Sequence, residues 1–98
     1  MNQRSKKMAK FYREQRVPFV IQFLADNPVC LFRLPDRCTG ESTTVDEKIN
    51  RSQGGALVPG RKADEQGQVF HPVCESCHSY KTFHPAWAQE MGWSKSNK

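Results

Sequence analysis

Cys74-Glu75-Ser76-Cys77-His78-Ser79-Tyr80-Lys81-Thr82 is the stretch that decides how this chain folds. It holds a Cys-x-x-Cys pair that runs straight into a histidine. A second thiol pair, Cys30 and Cys38, lies far upstream. Four thiolates in two pairs that close a long loop suit a structural zinc. Between the pairs lie Val45-Asp46-Glu47-Lys48-Ile49 and Arg51-Ser52-Gln53-Gly54-Gly55. An acidic pair on a short extended segment, with a histidine opening a helix, suits a second, catalytic metal. The two sets together point to metal-assisted nuclease chemistry.

Composition explains why a staple is needed. The chain has 98 residues, of which 37% are hydrophobic, and a core of that size is marginal alone. The middle, residues 40–67, is polar and Gly-rich. A metal joining Cys30 and Cys38 to Cys74 and Cys77 would close that loop and add its binding energy to folding. Two disulfides are the competing use of four cysteines. Zinc is preferred because Cys-x-x-Cys with a distant partner pair is a common zinc pattern, although the spacing of Cys30 and Cys38 is wider than usual. No secretory signal is evident either. The run Val17–Ala25 follows a basic stretch, but that stretch contains Glu14, Pro18 and Gln22 interrupt the run, and no small-x-small cleavage site follows. The run is also too short to span a bilayer. The expectation is a cytoplasmic protein with no membrane partner.

The formal net charge of +5 is concentrated at one end. Residues 1–16 carry Arg4, Lys6, Lys7, Lys10, Arg13 and Arg16 against Glu14 alone, and beyond them the two signs balance. A basic arm of this kind suits a polyanion such as double-stranded DNA. As an ordinary feature it would be a solvated helix face.

The pattern predicts a basic helix over 5–16 and a short, mostly buried helix that Pro18 opens, that carries Phe19 to Leu24 and that ends near Asp26, where Asn27-Pro28 stops it. Strands are predicted over 29–34 and 43–49, with a polar loop over 59–68. A helix should run from Cys74 to Phe83, followed by a second over 86–91 that Gly92 caps. Trp87 and Trp93 should pack that end on the body. The division expected is an arm over 1–16, a domain over 17–93 and a tail over 94–98. The fold class is α+β.

At this point the chain resembles the HNH endonucleases, of the small cysteine-bearing kind found in bacteriophages. The likeness runs from about Asn27 to Trp93. It rests on Asn27-Pro28-Val29-Cys30, Cys38-Thr39-Gly40, Val45-Asp46-Glu47, Arg51-x-x-Gly54-Gly55, Val73 to Thr82, and His84-Pro85-Ala86-Trp87-Ala88. The resemblance implies a ββα-metal domain stapled by a four-thiolate zinc at Cys30, Cys38, Cys74 and Cys77. It implies a catalytic divalent ion (Mg, Mn, Ni or Zn) held by Asp46 and His78, and hydrolysis of DNA phosphodiester bonds. A phage origin would place the protein in the host cytoplasm, beside DNA packaging and a terminase, as a monomer or weak dimer. Arg51 joins the basic arm as a phosphate contact.

Two positions depart from the family pattern. Where the family has Asp-His, this chain has Asp46-Glu47, so the water-activating role falls to Glu47. The central Asn expected about five residues before Cys74 is replaced by Val69, with Gln68 beside it. Gln68 can serve in its place after a one-residue slip, and His71 lies near enough to approach the site. The alternative function is therefore a catalytically weak or inactive zinc module that binds DNA or acts as an interaction adaptor. Plain readings also apply: Asp46 and Glu47 as exposed acids, His78 as helix decoration, and His84 as a helix-opening residue.

Overall fold

The computed structural model describes residues 3–95, with side chains from Lys6 onward. The side chain of Arg4 and the tail residues 96–98 lie outside the described part. The site is positioned by two antiparallel strands, β1 (Thr44–Glu47) and β2 (Phe70–Val73). Their register pairs Thr44 with Val73, Val45 with Pro72, Asp46 with His71 and Glu47 with Phe70. β2 is hidden in the sequence by Pro72, which lacks a ladder donor. The Pro72 carbonyl points away from β1 and accepts from Leu31 N at 2.8 Å. The missing N–H would have faced the same way, so β1 loses nothing.

The N-terminal basic region forms one continuous helical rod with the apolar segment after it. α1 (Gln3–Phe11) passes through a widened π-type turn (Tyr12–Arg16) into α2 (Val17–Asp26). The cause is Pro18, which cannot donate to Glu14 and whose ring crowds that carbonyl. The turn opens, and Val17 N reaches back to Tyr12 O. α2 corrects the expectation of a mostly buried helix, because none of its residues is fully buried. It lies on a thin sheet that covers only one of its faces. Phe19 packs on Phe70 at 4.8 Å between ring centres, while Ile21 faces solvent.

The expected strand over 29–34 is also corrected. Only a single bridge, Val29 with Glu41, forms there. Arg33 and Asp36 adopt positive φ angles of 48° and 65° on either side of Pro35, so the chain curls back instead of extending. That curl returns Cys38 beside Cys30. The loop expected over 59–68 contains a short helix, α3 (Arg61–Gln66), ended by Gly67 in the left-handed region. α4 (Glu75–Phe83) and α5 (Pro85–Met91) follow the sequence reading closely, with Gly92 at φ 82° ending α5.

The buried interior is thin and made largely of small residues. Cys30, Val73, Cys74 and Cys77 form its centre, with Phe32, Leu34 and Cys38 packed around them. Phe32 packs on Trp93 at 4.8 Å with the rings tilted and meets Trp87 edge-on, which docks the C-terminal piece as expected. Among the described residues, no helix is long and apolar enough to cross a membrane.

Candidate metal centre and the adjoining acid-base cluster

The four cysteines converge. Their Sγ atoms all lie within 4.8 Å of one another, with Cys30, Cys74 and Cys77 buried and Cys38 partly so. Zinc at about 2.3 Å from each of four tetrahedral sulfurs sets the sulfurs about 3.8 Å apart, so the donor set fits a metal such as zinc. None of the four is in a disulfide. Each pair presents an N–H to sulfur: Gly40 N donates to Cys38 Sγ at 3.3 Å and Cys77 N to Cys74 Sγ at 3.4 Å. Cys74 is the N-cap of α4, so its sulfur sits where the first turn's free N–H groups favour negative charge. Desolvation raises the Cys74 thiol, but hydrogen bonds from Thr39 and Cys77 outweigh it and bring it down to about 6. Desolvation, reinforced by the neighbouring thiols, pushes Cys77 up to about 12. Four thiolates cannot share this space without a cation to neutralise them.

The second cluster is built around Asp46. It lies on β1, is only 2% exposed, and is contacted from three directions. Lys81 Nζ donates to Oδ1 at 2.7 Å and to Oδ2 at 2.8 Å. His71 Nδ1, its cross-strand partner, is 2.7 Å from Oδ2, and His78 Nε2 is 3.4 Å from Oδ1. Burial alone would raise the Asp46 carboxyl. The hydrogen bonds from His71, His78 and Lys81 and the Lys81 charge overcome that and hold it at about 2. His78 and Lys81 are one helical turn apart on α4 and therefore share a face. The cluster opens on a cavity of about 310 Å³, lined also by Asn50, Arg51, Ser52, Thr82 and Ser94.

Loop geometry sets the cavity wall. Gln68 Oε1 accepts from Ile49 N at 2.8 Å, and its Nε2 donates to Ile49 O and Ala56 O, each at 2.9 Å. One side chain thus ties together both ends of the loop that carries Arg51. Gly55 passes so close to Ile49 O that a Cβ there would stand 1.8 Å from it. Arg51 is steadied by a 3.1 Å hydrogen bond from its Nη1 to Tyr12 Oη of the N-terminal rod.

Glu47 and Arg16 meet elsewhere. Neighbours on a strand point to opposite faces, so Asp46 and Glu47 diverge. Glu47 pairs with Arg16 at 2.6 Å and is not among the residues lining the cavity. Desolvation raises the Glu47 carboxyl in spite of the Arg16 charge. Arg16 also donates to Leu57 O at 2.6 Å, so it fastens the rod to the body, while Lys6, Lys7, Lys10 and Arg13 face solvent. His84 caps α5 and stacks on Tyr80 at 3.8 Å, away from both clusters. A larger groove of about 480 Å³ lies between α1 and residues 54–62, but its walls are mainly apolar and hold no carboxylate, histidine or cysteine.

The structure therefore brings Asp46, His78 and Arg51 to one cavity and adds Lys81, while His71 stays buried behind Asp46 and touches it from the far side. Lys81 has no role in the sequence reading. It stands in the Cys77-His78-x-x-Lys81-Thr82 run that carries the resemblance, but its burial shows only in the fold. Among the described residues, the four cysteines are the group of His, Cys, Asp or Glu donors able to surround an ion. Asp46 and His78 offer one carboxylate oxygen and one ring nitrogen 3.4 Å apart, with Lys81 on the same carboxylate. Comparison with protein-family models, curated proteins and solved structures finds no match to this chain.

Proposed function

We propose that the chain is a small DNA endonuclease of the HNH kind, stapled by zinc at Cys30, Cys38, Cys74 and Cys77. The observation that carries this reading is the joint placement of Asp46 on a strand and His78 on the following helix, at a polar cavity with Arg51 on its rim. Two antiparallel strands leading into a helix are the layout that the resemblance implies. Asp46 and His78 would hold a divalent ion, which supplies Lewis-acid stabilisation of charge on a phosphate.

The chain's own residues provide the rest. Arg51 offers planar donors to a phosphate oxygen, and its hydrogen bond to Tyr12 limits the entropy lost on binding. His71, buried and bonded to Asp46, fixes the carboxylate's orientation. Gln68 holds the loop that sets Arg51 at the rim. Glu47, spent on Arg16, supports the docking of the rod better than it supports activation of water. The exposed cations of α1 would run along the DNA backbone, contributing affinity without sequence preference.

The test is nicking of supercoiled plasmid by zinc-loaded protein in Mg²⁺, Mn²⁺ or Ni²⁺ against EDTA. A second reading, a DNA-binding module that does not cut, is favoured by one observation: Lys81 already engages both Asp46 oxygens. Salt-dependent DNA binding without nicking in any metal would select it. A place beside a phage terminase in DNA packaging belongs to the same proposal.

A further inference from the structure

We infer that Lys81 is the resident counter-cation of Asp46 and competes with divalent metal for it. The inference rests on the endonuclease reading only for the choice of metal as competitor. The contact itself is independent of it.

An ammonium group has three donors. Lys81 uses them on Asp46 Oδ1 at 2.7 Å, Asp46 Oδ2 at 2.8 Å and Glu47 O at 2.9 Å. Lys81 is 5% exposed, so water does not compete for these bonds. The Asp46 carboxylate also takes His71 on Oδ2. A carboxylate with both oxygens engaged by a buried cation has little left for an ion. Divalent metal must displace the ammonium first, and it binds only as well as that exchange allows.

The displaced side chain has somewhere to go. Lys81 lines the same cavity as His78, which is 39% exposed on its side chain. A rotation about its four-carbon stem carries Nζ from Asp46 into that cavity, toward the place a DNA phosphate would occupy. The same cation would thus neutralise Asp46 when metal is absent and face phosphate when metal is bound. Metal affinity without DNA would be weak, and DNA would strengthen it.

The experiment measures Mn²⁺ binding to the zinc-loaded full-length protein by electron paramagnetic resonance, in the wild type and in Lys81→Met. Methionine fills similar volume without charge. The expected result is at least ~10-fold tighter Mn²⁺ binding in Lys81→Met, abolished by adding His78→Ala. Equal or weaker binding in a folded Lys81→Met protein overturns the inference. A second measurement uses the wild type alone, so that misfolding of the variant cannot hide the answer. Reductive methylation followed by mass spectrometry reads the accessibility of Lys81. Protection without divalent ion, lost as Mn²⁺ rises, is expected, whereas protection unchanged at saturating Mn²⁺ overturns the inference. Absence of DNA cleavage would sink the endonuclease reading and leave both of these results standing.

Discussion

Cys77→Ser separates a zinc-held fold from one that stands on its own packing. Cys77 has no solvent exposure and belongs to the central cluster with Cys30, Val73 and Cys74. A domain of 98 residues has a net stability of roughly 5–15 kcal/mol. Structural zinc contributes roughly 10–16 kcal/mol of apparent binding energy at neutral pH. The metal term is thus as large as most or all of the net stability, and the metal-free chain should be unfolded. Serine is a poor zinc ligand and leaves a hydroxyl among buried sulfurs, so the variant loses most of that term. The assay is zinc content by elemental mass spectrometry, followed by near-ultraviolet circular dichroism with and without a strong chelator. Wild type should carry one zinc per chain and unfold when the metal is stripped. Cys77→Ser should carry none and lack tertiary signal. A zinc-free chain that keeps its near-ultraviolet signal and melting temperature would refute the reasoning. So would two disulfides in protein made in a reducing cytosol.

The Asp46 cluster makes a prediction that amends the view of Asp46 as a free-standing ligand. Asp46→Asn leaves Lys81 buried without its counter-ion and should cost about 3–5 kcal/mol in urea unfolding at pH 7. The Asp46 carboxyl lies below its ordinary 3.8, at about 2, so its stabilisation is present above 3.8 and is lost as pH falls through 2. The gap between wild type and Asp46→Asn should therefore narrow over that window in acid titration. Gly55→Ala forces the loop away from Ile49 O, and a loss of at least ~2 kcal/mol is expected in thermal unfolding. An unchanged melting temperature would mean that the loop yields freely. Changing Lys6, Lys7, Lys10 and Arg13 together to Gln, with Arg16 kept as the fastener, should lower the log–log salt slope of DNA binding by about 3–4 units. An unchanged slope would remove the rod from the DNA interface.

Much of the site is legible in the sequence because its chemistry is carried by residue type and spacing. Cys-x-x-Cys at a helix start fixes two ligands locally, and the turn at Pro35 brings Cys38 to Cys30 whether or not a strand forms. Helices α4 and α5 are legible for a related reason, since Cys74, Pro85 and Gly92 mark their ends. The rest depends on tertiary context. β2 is four residues long, contains Pro72, and becomes a strand only because β1 lies beside it. The burial of α2 is misjudged because an apolar sequence does not reveal how thin the layer beneath it is. Glu47 looks like a partner of Asp46 in chemistry, yet strand alternation sends it to Arg16, a residue 31 positions away in the chain. Lys81 is unreadable as a functional group because lysines at helical spacing are ordinarily solvated, and only the packing of α4 on β1 shows this one turned inward.

The central claim, that Asp46 and His78 form a metal-dependent DNA-cutting centre, is tested most directly through His78→Ala. His78 is partly exposed, so its removal strands no buried partner and leaves the zinc centre and the Asp46–Lys81 pair in place. The measurement is the rate of supercoiled plasmid nicking in Mn²⁺ by zinc-loaded wild type and by His78→Ala. The account predicts metal-dependent nicking by the wild type that EDTA abolishes, and a rate at least ~10²-fold lower in a variant that keeps its zinc and melting temperature. Nicking by His78→Ala at the wild-type rate, or no nicking by the wild type in any divalent metal, would contradict it.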